Sequence, residues 1–258
     1  MTGASLAAIA PLASAAVLHG LRLLPVALLC PFLGGPLVPP VVRSAVGLGL
    51  GASAWVAGGA GPFIGGTGDF LVASARELGL GAALAVIAAV PFEAARAGGR
   101  LTDTLRGATL AELHVAPLRQ RESASGDLLV QSLIALASAT GGGQLVVAAL
   151  LSTFQVLPVG APAAPGALLA AGLEGASEIL ACALSVGAPA AAGVLGADLA
   201  LAIAARAAPR LQITPLAQPP RAAFGLLALA VASAAIAARL TSAVALSARL
   251  IRVSGAGT

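Results

Sequence analysis

Charged residues cut this chain into long apolar runs. Residues 1–21, 23–42, 44–68, 128–173 and 179–197 contain no charge. A helix that crosses a bilayer needs about 20 predominantly apolar residues. The run 128–173 is therefore long enough for two helices, parted by the segment 157–162 with its two prolines and a glycine. Shorter apolar runs cover 78–92 and 222–238. Together they predict an all-α, polytopic membrane-type chain of about six apolar helices. Proline crowds the early region at Pro25, Pro31, Pro36, Pro39 and Pro40, and recurs at Pro91, Pro158, Pro162, Pro165 and Pro189. A helix proline removes one backbone hydrogen bond and crowds the preceding turn. Carbonyls freed in this way are tolerated at membrane depth only against protein or a water-filled cavity. The pattern thus predicts proline-broken helices that pack against other protein. No stretch reads as a flexible linker. The expected division is an N-terminal helical region, 1–160, and a C-terminal helical hairpin region, 161–258.

The polar positions are few enough that each needs a reason. Asp198, Ala202 and Arg206 fall on one helical stripe, but the acid and the base stand two turns apart. That is ~12 Å along the axis, too far for a direct ion pair within the helix. Each must meet another partner or water. For Arg206 the expected contact is an ion pair or a helix end, with Asp198 across a kink, Glu174, Glu178 or another subunit as candidates. Gly99, Asp103 and Gly107 share one face if that segment is helical. The face is nearly bare, so a neighbour can approach closely and the carboxylate must find a donor; Arg100 and Arg106 stand within reach for a local ion pair, and a specific contact to a partner subunit is the other reading. Residues 109–127 form the one substantial polar segment, with no apolar stripe to bury, and alone they read as a solvated loop.

Composition agrees with the membrane class. Hydrophobic residues make up 59% and charged residues 9%, far from the roughly 25% charged of soluble domains. Small residues in place of aromatics let helix backbones approach closely. All 14 basic residues are arginine. They are scattered among apolar runs and read as helix-end groups near lipid headgroups, so membrane lipid is expected as a partner and nucleic acid is not. The start lacks a charged n-region and a clear cleavage site, so no cleaved signal peptide is expected. Cys30 and Cys182 lie in apolar runs and read as buried small hydrophobes. Neither they nor His19 and His114 have metal-ligand spacing, so no metal or cofactor is expected. The glycines Gly141–Gly143 lack the Lys-Ser/Thr of a phosphate loop and read as a close-packing site. Glu174 and Glu178 repel on an isolated helix, and as membrane acids they keep a proton-relay reading open. No catalytic constellation appears, and the chain reads as a non-enzyme.

Several of these elements together resemble a known family. Asp198, Arg206, Pro209, Leu211, Pro219 and Arg221 are similar, in order and spacing, to the late region of the FliR/SctT-type (YscT-like) export apparatus proteins of type III secretion systems. Arg22 with Pro25, the stretch 31–39 with Gly34 and Gly35, and Arg43 resemble that family's opening. Glu77 with Gly79 and Gly81 resembles its third-helix start, and Gly99, Asp103 and Gly107 its Gly-x3-Asp-x3-Gly element. Residues 122–131 resemble the helix start of the virulence-type branch. Gly141–Gly143 and the Ser152-to-Pro158 ending fit as well. Where the flagellar branch carries Asp-Pro, this chain has Ala116-Pro117, which favours the virulence-type branch. The resemblance covers residues 20 to 222.

The resemblance implies a structural subunit of the type III secretion export gate, multi-pass in the bacterial inner membrane at the base of an injectisome. It implies an N-terminal part like an R-type subunit and a C-terminal hairpin like an S-type subunit. Expected partners are R-type and S-type subunits in one complex, a U-type switch protein and a V-type export gate protein nearby, and unfolded secreted proteins in transit. The polar segment then corresponds to a channel plug, carried by Leu110, Glu112, Leu113, His114, Pro117, Arg119, Arg121 and Glu122. Assembly and helix packing fall to Arg43, Gly99, Asp103, Gly107, Asp198, Arg206, Pro209, Pro219 and Arg221. A small-solute secondary transporter is the alternative, favoured by broken helices and membrane acids but without an internal repeat. The arginine clusters flank one apolar segment on both sides, so the charge rule for topology points both ways.

Overall fold

Glycine decides how closely the helices of this chain approach one another. The computed structural model describes residues 3–33, 38–59, 61–108, 123–161, 165–207 and 217–256, and among them there is no strand. The helices are α1 (Gly3–Leu29), α2 (Pro40–Gly58), α3 (Thr67–Leu105), α4 (Ala124–Thr140), α5 (Gly142–Val156), α6 (Pro165–Ala207), α7 (Gln218–Val231) and α8 (Ser233–Ala256), with a short 3₁₀ turn at Pro31–Leu33. Among the described residues five stretches are long and apolar enough to cross a membrane: Ile9–Leu29, Pro40–Gly58, Thr67–Leu105, Pro165–Ala207 and Ser233–Ser254. The pair α4 and α5 makes a sixth if it is one broken span.

Two compact units share these helices. The first comprises Met1–Val90, Thr140–Ala176 and Val244–Thr258; the second comprises Pro91–Ala139 and Ser177–Ala243. In the first unit α2 packs on α1 through a stripe of small residues. Gly51 sits against the backbone of Gly20 and His19, and Gly47 against Ala27 and Leu24. The opposite face of α2 leaves Val41, Val42 and Val56 exposed, which is what a lipid or protein environment accepts and water does not. Gly81 of α3 lies against the Arg22 carbonyl. Leu18, Leu23, Leu84, Ile87, Leu150 and Ile251 close the core of this unit.

The second unit uses the same device. Gly99 meets the backbone of Gly126, Gly98 meets Val186, and Gly187 meets Leu101. Phe92, Leu133, Val186, Ala190 and Ile236 are buried with them.

Helix boundaries follow the expected punctuation in part. Pro40 opens α2, Pro165 opens α6 and Pro219 stands in the first turn of α7, where a missing N–H costs nothing. Gly59 closes α2 at φ 60°. Other prolines behave differently from the expectation. Pro25 lies inside α1, Pro91 inside α3 and Pro189 inside α6, and the helices run through them. Glu77 stands in the body of α3, which starts at Thr67. Gly141 is a hinge and not a mid-helix packing residue: its φ of 77° separates α4 from α5, a conformation that suits glycine.

The close approaches make a direct test. Gly81→Val should destabilise the chain by about 1–3 kcal/mol or more, since added atoms meet backbone and not a yielding side chain. Gly79→Ala, on the same helix but with open space around it, should be neutral or stabilising by up to ~1 kcal/mol. Thermal unfolding of the chain in detergent distinguishes them; equal effects would mean that α3 does not approach α1 so closely.

Candidate functional site

Two buried polar clusters stand out in this apolar chain, one in each unit. The first is built on Arg22 of α1 and Glu77 of α3, whose side chains are 0% and 1% exposed. Arg22 Nε donates to Glu77 Oε2 at 2.6 Å and Nη2 donates to Oε1 at 3.1 Å, a two-pronged pairing. Nη1 donates to the carbonyls of Leu157 at 2.9 Å and Thr153 at 3.3 Å. Those carbonyls lie at the end of α5, which carries partial negative charge; the Thr153 carbonyl also accepts from the Leu157 amide at 2.9 Å. The Gly160 amide donates to Glu77 Oε1 at 2.8 Å, and Arg76 donates to the Gly160 carbonyl at 3.2 Å. One ion pair thus ties α1, α3, the end of α5 and the turn after it. The guanidinium carbon also lies 4.4 Å from the Phe154 ring centroid, within cation–π range. The sequence marks Arg22 and Glu77 in separate motifs and does not join them. The available signal was their rarity: an acid and a base inside apolar runs need partners.

The second cluster surrounds Asp103, near the end of α3. Its Oδ2 accepts from Ser123 Oγ at 2.5 Å and from the Ser125 amide at 3.0 Å; its Oδ1 accepts from Ser125 Oγ at 2.6 Å. Ser123 Oγ in turn accepts from the Gly126 amide at 3.0 Å. Arg106 stands 3.4 Å from Oδ1. A carboxylate of one helix therefore caps the first turn of the next, at the end where amides are unpaired and negative charge is favoured. Arg106 fills the expected donor role, while Arg100 is exposed. Ser123 and Ser125 were not anticipated as partners. They were read as part of a solvated segment, yet Ala124–Thr140 is already helix.

Asp103→Ala should cost about 2–3 kcal/mol, because it leaves two hydroxyls and an amide without their charged acceptor. Ser123→Ala should cost ~1 kcal/mol, as for one lost cap. Unfolding midpoints of the two variants in the same detergent check the order; Ser123→Ala matching Asp103→Ala would remove the carboxylate from the centre of the cluster.

Comparison with known proteins gives the family. The model of the family "Bacterial export proteins, family 1" matches residues 13–246, nearly the whole chain. The chain belongs to this family. It is similar to the "Yop proteins translocation protein T" of Yersinia pestis, at 30% identity over 158 residues, which is 60% of this chain and 60% of that protein. It is also similar to the "Secretion system apparatus protein SsaT" of Salmonella typhimurium, at 30% over 160 residues, 59% and 60% of the two chains. The matched stretch thus spans about 60% of the length of these relatives.

The other residues expected from the export family divide into three groups. Some are brought together. Asp198 of α6 pairs with Arg221 in the first turns of α7, beside the exposed Pro219. Within the same unit Glu178 binds Arg239 of α8 through both oxygens, at 2.5 and 3.0 Å. The two pairs fall in the order of antiparallel arms. In the first unit Glu174 pairs with Arg249 at 2.8 Å. The three acids of α6 are thus held by other arginines, and none by Arg206. Some residues stand elsewhere than expected. Gly107 lies past the end of α3 with φ 74°, so it does not share a helical face with Gly99 and Asp103. Arg206 is exposed in the last turn of α6. Arg43 donates to the Leu28 carbonyl at 2.9 Å, tying the start of α2 to the end of α1. The third group lies outside the described residues: Leu110, Glu112, Leu113, His114, Pro117, Arg119, Arg121, Glu122 and Pro209.

Proposed function

We propose that this chain is a structural, non-enzymatic subunit of a type III secretion export gate in the bacterial inner membrane, forming part of the protein-conducting channel and its plug. The family match over residues 13–246 carries this reading. The relatives named for translocation and for a secretion apparatus support the injectisome branch. Five or six apolar spans fit an integral membrane component. No observation supports the small-solute transporter; Glu174 and Glu178, which kept that reading open, are paired with arginines.

On this reading the apolar outer faces meet lipid and neighbouring subunits of R and S type, with a U-type switch protein and a V-type gate protein close by, and unfolded proteins pass through. The polar segment at 109–127 supplies the plug. In-frame deletion of the gene should stop export of secreted proteins into the medium, and a tagged chain should co-purify with R-type and S-type subunits. Undiminished export without the gene would overturn the reading.

Arg206 is an assembly residue on this account. Its charge sits on a helix C-terminus, facing outward, with no ion pair among the described residues. Arg206→Ala should leave the chain's own stability within ~0.5 kcal/mol, as for surface positions. Yet it should lower the yield of co-purified subunits more than Arg252→Ala does. A large loss of thermal stability, or equal yields for the two variants, would exclude this role.

A further inference from the structure

An apolar groove of about 430 Å³ lies between α4, α7 and α8, all within the second unit. Leu129, Ile236 and Leu240 are buried along it, while Leu128 and Leu226 stand exposed at its edge. Its origin is local. α7 stops at Val231 and α8 begins at Ser233. Around that break the lining residues are Ala230, Ser233 and Ala237, small side chains that leave space beside α4 unfilled.

The lining limits what can fill that space. Ser132 and Ser233 are its polar side chains, both exposed, and it holds no charged or aromatic residue. A peptide strand would bring N–H and C=O groups that an aliphatic groove leaves without partners. A stable protein interface takes roughly 20–30 residues from each side, and twelve line this groove. An alkyl chain has no polar group to satisfy. At ~30 Å³ for a group the size of a water molecule, the groove holds about 14 carbons, most of one fatty acyl chain. Within a bilayer the gain is dispersion contact with densely packed protein atoms, not escape from water. Leu227 and Val231 are exposed on the same short helix, so α7 presents apolar surface beyond the groove, where the rest of a lipid would lie.

We propose that this groove holds one acyl chain of a membrane phospholipid, retained as part of the folded subunit, with its headgroup outside. The proposal rests on the chain being a membrane protein, not on its role in export.

The test uses the full chain in vesicles of phosphatidylethanolamine and phosphatidylglycerol, doped with a phosphatidylglycerol that carries a diazirine midway along one acyl chain. The chain is extracted and washed with detergent to remove loosely held lipid. Irradiation then marks what the retained lipid touches, and peptide mass spectrometry locates the marks. About one retained lipid per chain is expected, with label on the groove residues of α4, α7 and α8. Val41 and Val56, exposed on α2, should carry at least fivefold less. Ala230→Phe combined with Ala237→Leu, which fills the groove, should cut the retained lipid at least fivefold. The mapping on the unaltered chain needs no variant, so it stands if the filled chain misfolds. The same wash applied to the chain co-purified with its partner subunits should again label the groove. Loss of that label in the complex would assign the groove to a partner protein and overturn the proposal. So would an absence of retained lipid, equal labelling of α2 and the groove, or unchanged retention in a folded, filled variant.

Discussion

Arg22→Met should remove most of the folded chain from the membrane. Arg22 is fully buried, and its loss leaves the Glu77 carboxylate buried at 1% exposure without a counter-charge. It also removes the Arg22 donor from the Leu157 carbonyl and from the Thr153 carbonyl, which keeps the Leu157 amide. Breaking a buried pair from one side costs roughly 3–5 kcal/mol, against a total stability of about 5–15 kcal/mol for a typical domain. The folded-to-unfolded ratio then drops by about two or more powers of ten. Arg22→Met combined with Glu77→Leu should be milder than Arg22→Met alone. Removing both charges removes the uncompensated one, and apolar replacements of a buried pair are often tolerated. Recovery stays incomplete because the Gly160 amide and the Leu157 carbonyl still lose their side-chain partners. The amount of monodisperse chain extracted from membranes reports the order. A double variant no better than Arg22→Met alone would show that the two residues do not act as a pair.

Class and helix content were readable because membrane burial is written in composition: apolar runs of spanning length leave few other folds. Pairing was harder to read. Rarity of charge says that Arg22 and Glu77 need partners, but nothing local says that they find each other across 55 residues. Spacing correctly kept Asp198 from Arg206. Its actual partner is Arg221 of α7, and no local pattern in the sequence joins the two. Gly99 was readable as a close-approach residue because a bare face invites a neighbour, and it meets Gly126. Gly107 and Gly141 were misread for one reason. Glycine serves both tight packing and positive φ, and three glycines in a row at Gly141–Gly143 fit either use. Pro25, Pro91 and Pro189 show the converse limit. A proline marks a lost hydrogen bond, but whether the helix stops or continues depends on the packing around it, which lies elsewhere in the chain.

Shortening the polar segment by removing residues 113–121 should leave the chain folded and make the assembled channel leaky. The two halves of this expectation rest on different grounds. Folding should survive because the base of the segment is held from outside it: Asp103, before it, accepts from Ser123 and Ser125, after it. A deletion that spares all three keeps the cap on α4. One that runs on into Ser123 should lose about 1 kcal/mol or more with that cap. Leak is expected from the proposed plug role. The segment separates the end of α3 at Leu105 from the start of α4 at Ala124, far more chain than the roughly 2–8 residues that usually join helices. Connections of such length in compact domains are usually functional or linkers. Its large aliphatic residues are few, mainly Leu110, Leu113, Val115 and Leu118. A closure displaced by each exported protein requires a segment that opens at low free energy, as segments with few apolar contacts do. Cells carrying the shortened chain should therefore take up small ions or dyes faster than wild-type cells, while export continues at least in part and subunits still co-purify. Unchanged permeability in an assembled, exporting complex would reduce the segment to a connector and would remove the plug from the proposed function.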